Sequence, residues 1–222
     1  MPTILRRLFQ RRISSGAQRH DRQGLSAESS GVTPLSDDPR WQHFNDKNFA
    51  CTCCGQSHSG VFDISFDHPD SWPHGSLIDS GQANLRVGQD FLNPDICLHG
   101  EFRFIKALLR FPILGSDQYF AFGVYVSLKP ENFEALLKAE DAGTLDKVDP
   151  MFCWVSHALP YFDTTEFLPA NVSGFSPDLR AFVTLDPECG TIAQAQSDGI
   201  TFDQLLDLYS ATGTDIRNHL NS

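Results

Sequence analysis

Three cysteines and a histidine fall within eight positions of FACTCCGQSHSG, residues 49–60. Cys51 and Cys54 form C-x-x-C, Gly55 follows, and His58 stands four residues beyond the second cysteine. In a zinc knuckle this spacing lets two thiolates grip one ion while the glycine frees the backbone for a tight turn. Two thiolates are half a site, and no second C-x-x-C occurs in the chain. The other ligands must then come from His58 with Cys97, or from Cys97 with His99. The expectation is a structural zinc corner built on Cys51, Cys54, His58 and Cys97. Plain packing is the rival reading, since free cysteines are among the most buried residues. The neighbours Gly55, Gln56, Ser57 and His58 are not those of an apolar core. A thioredoxin-like redox pair would open a helix after a strand, whereas a glycine and a polar loop follow here. Cys53 is a spare thiol, because a disulfide to the adjacent Cys54 would be strained.

Elsewhere the chemistry is thinner. Cys153 and His157 stand four apart in MFCWVSHAL; packing accounts for them better than a metal does. A Cys–His hydrolase built on them would need an orienting acid, for which Asp163 is available. His68 and His74 lie in the turn-rich DHPDSWPHG and are expected to be solvated. There is no phosphate-cradling glycine loop, no H-E-x-x-H and no G-x-S-x-G elbow. The reading these residues support is a non-catalytic binding or regulatory module with a zinc corner. The alternative is a metal- or thiol-dependent enzyme using Cys51, Cys54 and His58. No particular reaction, small-molecule ligand or protein partner is named by the residues.

The elements that must position these groups are legible in part. VFDISF at 61–66 alternates apolar and polar residues with strand period. EFRFIKALLRFPIL (101–114) and YFAFGVYVSL (119–128) are long strand-like runs around Gly115-Ser116-Asp117, a hairpin connection. In the second run Phe120, Phe122, Val124, Val126 and Leu128 share the core face. Gly123 on the opposite face marks a close approach by another element or a twist point. KPENFEALLKAE predicts a helix with Pro130 in its first turn and Phe133, Leu136 and Leu137 on one side. MFCWVSHAL and LRAFVTLD are shorter apolar runs, separated by a loop over 160–178. Thr201 and Gln204 make a capping box for a last helix that stops near Gly213. Strands outnumber helices, so the fold class expected is α+β: a mainly antiparallel sheet, a few flanking helices and an N-terminal Cys-rich knuckle.

Charge divides the 222 residues unevenly. Residues 1–22 hold six arginines and one acid, leaving a net charge of −16 on the other 200. So acidic a body repels phosphate backbones, which excludes nucleic-acid binding by that part. Residues 14–40 have few large apolar side chains, too few to offset the entropy of ordering. The expected organisation is a flexible basic tail and linker over 1–40 and a single domain over 41–222. Ile4, Leu5, Leu8, Phe9 and Ile13 fall on one side of a helical wheel, with arginines mostly opposite. They suit contact with an anionic membrane surface, a targeting role, or a frayed solubilising tail. No run of apolar residues is long enough to span a bilayer. The N-terminus lacks the apolar stretch of a secretory signal, so the expected compartment is the cytoplasm, with thiols reduced.

Several stretches, taken in order, resemble an uncharacterised bacterial family, domain of unknown function 2199. They are CTCCG with His58, DIC at 95–97 with Gly100-Glu101, FGVYVSL at 122–128, ENF at 131–133, LP at 159–160 with DT at 163–164, and GIT at 199–201. The resemblance covers residues 49–208. Cys51, Cys54, Gly55 and His58 match the first motif and Cys97 the second. The chain departs from the pattern at Phe102, where the family carries a histidine. It departs again in DPECGTIA at 186–193, where the family has a histidine beside a proline. What the resemblance implies is a fold and a metal-like corner, with no activity attached.

Overall fold

A computed structural model of the chain describes residues 34–48, 59–162, 164 and 167–220. Its centre is a long hairpin. Strand β5 (Phe102–Pro112) pairs with β6 (Tyr119–Leu128) antiparallel through ten consecutive residue pairs, from Arg103↔Leu128 to Pro112↔Tyr119. Both strands then divide their outer edges. β6 bonds β7 (Met151–Val155) at Val126 and Ser127, and β1 (Ile64–Ser65) in parallel at Phe122 and Gly123. β5 bonds β4 (Ile96–His99) along its first residues, and β9 (Phe182–Leu185) in parallel at Leu108 and Leu109.

Because β7 continues through β8 (Leu168–Ser173) to β9, strands β5 to β9 close into a ring. Beyond β4 the sheet runs on through β3 (Asp90–Leu92) to β2 (Leu85–Val87). The α+β class holds, but the sheet is barrel-like and closes through a parallel pair; it is not simply antiparallel. The Cys-rich knuckle falls outside the described residues.

The ring interior is apolar. Phe120, Phe122, Val124 and Val126 of β6 meet Leu109 and Phe111 of β5, and Val155, Val172 and Val183 from the remaining strands, all buried. Helices stop both ends. α3 (Pro130–Ala142) leaves β6 directly and buries Phe133 and Leu136. α5 (Phe202–Ala211) has the expected capping box of Thr201 and Gln204 and buries five side chains, with Tyr209 edge-on to Phe120. α1 (Pro39–Asn45) adds Trp41 and Phe44, whose rings meet Phe202 of α5. The described body thus reaches back past Trp41, and α1 includes Pro39 and Arg40, which the sequence reading placed in the linker.

The other face of the hairpin is buried too. Ala121 and Tyr125 are as inaccessible as the core-facing set. A second, smaller core of Trp72, Leu77, Leu92, Cys97, Phe104 and Tyr125 covers this side. Its cover consists of β2–β4, the loop over 66–76 and α2 (Leu77–Ser80). At Gly123 a Cβ would stand 2.7 Å from Ser65 Oγ and 3.3 Å from Lys106 Cε, so β1 approaches as the glycine required. Not read from the sequence were α1, α2, the β2–β4 meander, β8 inside the supposed loop at 160–178, α4 (Thr191–Asp198) and a last short helix, α6 (Arg217–Leu220). The VFDISF strand is cut to two residues.

Phe122 is fully buried at the heart of the ring. Phe122→Ala is expected to cost about 3–5 kcal/mol in urea unfolding. A cost below about 1 kcal/mol would place the side chain at the surface.

Candidate functional site

The loop over 66–76 carries the chemistry that the fold brings together. Asp70 fastens it. The Asp70 N–H donates to Ser156 O, Oδ2 accepts from Ala158 N at 2.9 Å, and Oδ1 lies 3.0 Å from His157 Nδ1. His157 is wholly buried, with Phe66 stacked on its ring at 4.1 Å. Its Nε2 accepts the Tyr125 backbone N–H at 2.8 Å, which assigns the ring proton to Nδ1 and directs it at Asp70. Burial lowers the His157 pKa; the Asp70 bond opposes that shift and Lys106 and His68 add to it. Both ring nitrogens are therefore spent on holding a neutral imidazole in place. Burial raises the Asp70 pKa, but the bonds from His157 and Ala158 outweigh it and leave the carboxyl below its ordinary value.

Lys106 lies beneath the same loop. Its Nζ donates to Phe66 O and sits 4.4 Å from the centre of the Tyr125 ring. Burial depresses its pKa to about 7, helped by Arg180 and resisted by Asp67 and Asp95. The Tyr125 hydroxyl donates to Asn93 O at 2.7 Å, and burial pushes its pKa far up.

At the outer margin of this cover, three segments converge on one oxygen. His74 Nε2, from the loop, and His99 Nδ1, at the end of β4, each lie 2.8 Å from Asp90 Oδ2, at the start of β3. The other oxygen, Oδ1, accepts from Gly100 N at 3.1 Å. The bonds from His74 and then His99 hold the Asp90 carboxyl well below the usual carboxylate range. Trp72 presents its ring to both imidazoles edge-to-face, at 4.8 and 6.0 Å.

The residues singled out from the sequence are placed as follows. Cys51, Cys54 and His58 lie outside the described residues, as does Asp163. Cys97 is fully buried in the second core, on the same side of β4 as His99, and burial raises its thiol to about 12, with Asp90 adding to the shift. Cys153 packs in the main core on β7, its thiol likewise raised by burial to about 12. The acid beside His157 is Asp70, a residue sequence reasoning passed over. His74, expected in solvent, is instead held by Asp90 and packed on Trp72. The missed Asp90 had a signal: Asp90 and His99 share a row across the β3–β4 hairpin. Reading that row required recognising DFLNPDICLH as two paired strands.

Residues 50–200 match the model of a protein family described as uncharacterized protein conserved in bacteria (DUF2199). No curated protein and no solved structure matches the chain.

The depressed His157 pKa has a definite sign. Above about pH 6.5, the ordinary histidine value, the ring is neutral folded or unfolded, and its bonds stabilise fully. As pH falls below that value the unfolded chain takes up a proton that the folded ring resists, so stability drops. His157→Gln is expected to cost about 1–3 kcal/mol at pH 8. The gap between wild type and variant in urea unfolding should narrow from pH 6.5 to 5; a gap independent of pH would refute the neutral, doubly bonded ring.

Proposed function

We propose that this chain, which belongs to the domain of unknown function 2199 family over residues 50–200, is a non-catalytic binding or regulatory module. Its N-terminal loop is held by a structural zinc ion. The observation that supports this reading is the clamp at the base of the Cys-rich segment. Gly60 N donates to Phe44 O, which pins the chain after the segment to the helix before it. The Tyr209 hydroxyl donates to Phe62 O at 2.9 Å and accepts from Phe62 N at 3.1 Å, and the two rings stack at 4.0 Å.

A segment that leaves and returns through one point needs only a local cross-link to become rigid, and C-x-x-C with a following histidine supplies one. The proposed ligands are Cys51, Cys54 and His58, beside which a closed structural site needs a fourth protein donor. Cys97, the fourth expected from the sequence, is fully buried in the second core. It also pairs through Phe104 with Ser127 of β6, six residues from Ala121, whose N–H bonds Asp63 beside the clamp. At the rise of a strand that is about 20 Å.

The binding part rests on a recess of about 60 Å³ between α3 and the start of β5, floored by Ile96, Ile105, Phe133 and Leu136 with Asp95 and Glu140 at its edge. Pockets for small molecules run to roughly 300 Å³ and more. This one suits a single aliphatic side chain of a protein partner. The alternative reading is a metal- or thiol-dependent enzyme on the same Cys51, Cys54 and His58. It shares the ion but leaves one coordination position open to water.

Purified protein is expected to carry zinc stoichiometrically, and Cys54→Ser to lose it together with about 4 kcal/mol of stability, the effect of a ligand at a thousandfold excess over its Kd. Metal-free wild type, or unchanged stability in the variant, ends the reading. X-ray absorption counting four protein ligands supports a structural ion, and three with a water supports the enzyme.

A further inference from the structure

The residues opposite one another across the β2–β5 edge form one row: Val87↔Asp90, then Asp90 beside His99, then His99↔Phe102. In an antiparallel sheet, residues so placed share a face. Two positions along the same strands, the same face holds Leu85, Leu92, Cys97 and Phe104, the members of the second core. The row is therefore where that core emerges from beneath Trp72, and His74 reaches it from the overlying loop. The side chains of His74, Asp90 and His99 are 25%, 20% and 26% exposed. Water can reach them, yet each is held by its neighbours.

We infer that His74, Asp90 and His99 form a binding site for a divalent transition-metal ion of the zinc class. One ligand atom from each residue lies within 4.8 Å of the other two. A tetrahedral zinc ion with bonds of about 2.0–2.1 Å needs its ligands about 3.4 Å apart. The 2.8 Å contacts to Asp90 Oδ2 thus need to open by less than about 1 Å, which a half-buried histidine on a loop can do. On binding, the ion replaces the two ring protons that face Asp90, and each neutral imidazole carries its proton on the other ring nitrogen. Two nitrogens and one carboxylate oxygen select this metal class over magnesium and calcium, which take oxygen ligands throughout. Three protein ligands on a partly exposed margin leave at least one coordination position for water or an exogenous donor.

The site shares no ligand with the Cys51, Cys54 and His58 corner and stands independently of it. Its ion would link the 66–76 loop to the β3–β4 hairpin and so fasten the lid of the second core.

Cobalt(II), added alone to metal-stripped full-length protein, tests the site, because thiolate ligation announces itself by a charge-transfer band that nitrogen and oxygen ligation lacks. The expected result is one equivalent bound without that band, lost in His99→Ala and weakened at least tenfold in Asp90→Asn and His74→Gln. Any thiolate band should be untouched by these changes. The equivalent should also quench Trp72 emission, so that Trp72→Phe removes the quenching and leaves the binding. Should His99→Ala fail to fold, His74→Gln, altered only at the loop, carries the same comparison. No nitrogen–oxygen equivalent in wild type, or one that survives both His74→Gln and Asp90→Asn, overturns the assignment and leaves a hydrogen-bonded clasp. Failure of the zinc corner removes the thiolate band alone, so the two readings fail separately.

Discussion

Strand β6 is buried on both faces and paired on both edges, and the rest of the molecule is built to meet that demand. A strand with one wet face alternates apolar and polar residues; YFAFGVYVSL hardly alternates at all, because neither side meets water. The face bearing Phe120, Phe122, Val124 and Val126 is satisfied by closing the sheet on itself, with α3 and α5 stopping the ends. The face bearing Ala121, Gly123 and Tyr125 cannot be covered that way. It is roofed instead by a two-residue strand, a loop and a three-stranded meander, and Gly123 is the point where β1 comes too close for any side chain.

A roof made of loop brings unpaired backbone and polar side chains into a dry layer, where each must find a partner or cost about 1–3 kcal/mol. Asp70 and His157 are the answer for the residues after β7 and for the β6 amide that β7 does not reach. Lys106 answers for Phe66 O, and depression of its pKa to about 7 limits the charge it buries. The matching is incomplete: Asp67 Oδ2, Ser71 Oγ and Ser156 Oγ are buried without a hydrogen-bond partner among the described residues. These three atoms sit in or beside the roof, whereas the ring interior is almost purely apolar. The polar accounts of this fold are settled on one side of the hairpin.

That division explains what could be read from sequence. Long periodic runs report their own structure, so the β5–β6 hairpin, α3 and the capping box of α5 were legible, and the place of Gly123 with them. Elements defined by what they pack against were not. β8 contains Pro169 and Asn171 and resembles a loop, yet it pairs because Trp154 and Thr184 present it with two strand edges. The three strands of β2–β4 run to four residues at most, too short for alternation to register. His74 of DHPDSWPHG was assigned to solvent because its acid, Asp90, stands sixteen residues away, and the acid that holds His157, Asp70, stands eighty-seven away. Spacing along the chain detects a knuckle such as Cys51 and Cys54, whose ligands are neighbours in sequence. It misses a cluster assembled across a sheet row.

The same division bears on where function can lie. The ring is filled by phenylalanine, valine and leucine side chains, and its thiol, Cys153, is held protonated by burial. Among the described residues the candidate places for ions or partners are the recess beside α3 and the margin where His74, Asp90 and His99 meet; the segment proposed to hold zinc lies between Phe44 and Gly60, which bond each other. That segment and the loop that brings His74 are joined by residues 61–65, which include the two-residue β1. A change in either loop has a short path to the other through Phe62, Asp63 and Phe66, which bond to Tyr209, Ala121 and Gly123 respectively. Among the described residues, the clusters of Asp70 with His157 and of His74, Asp90 and His99 lie in or against the chain that wraps the barrel.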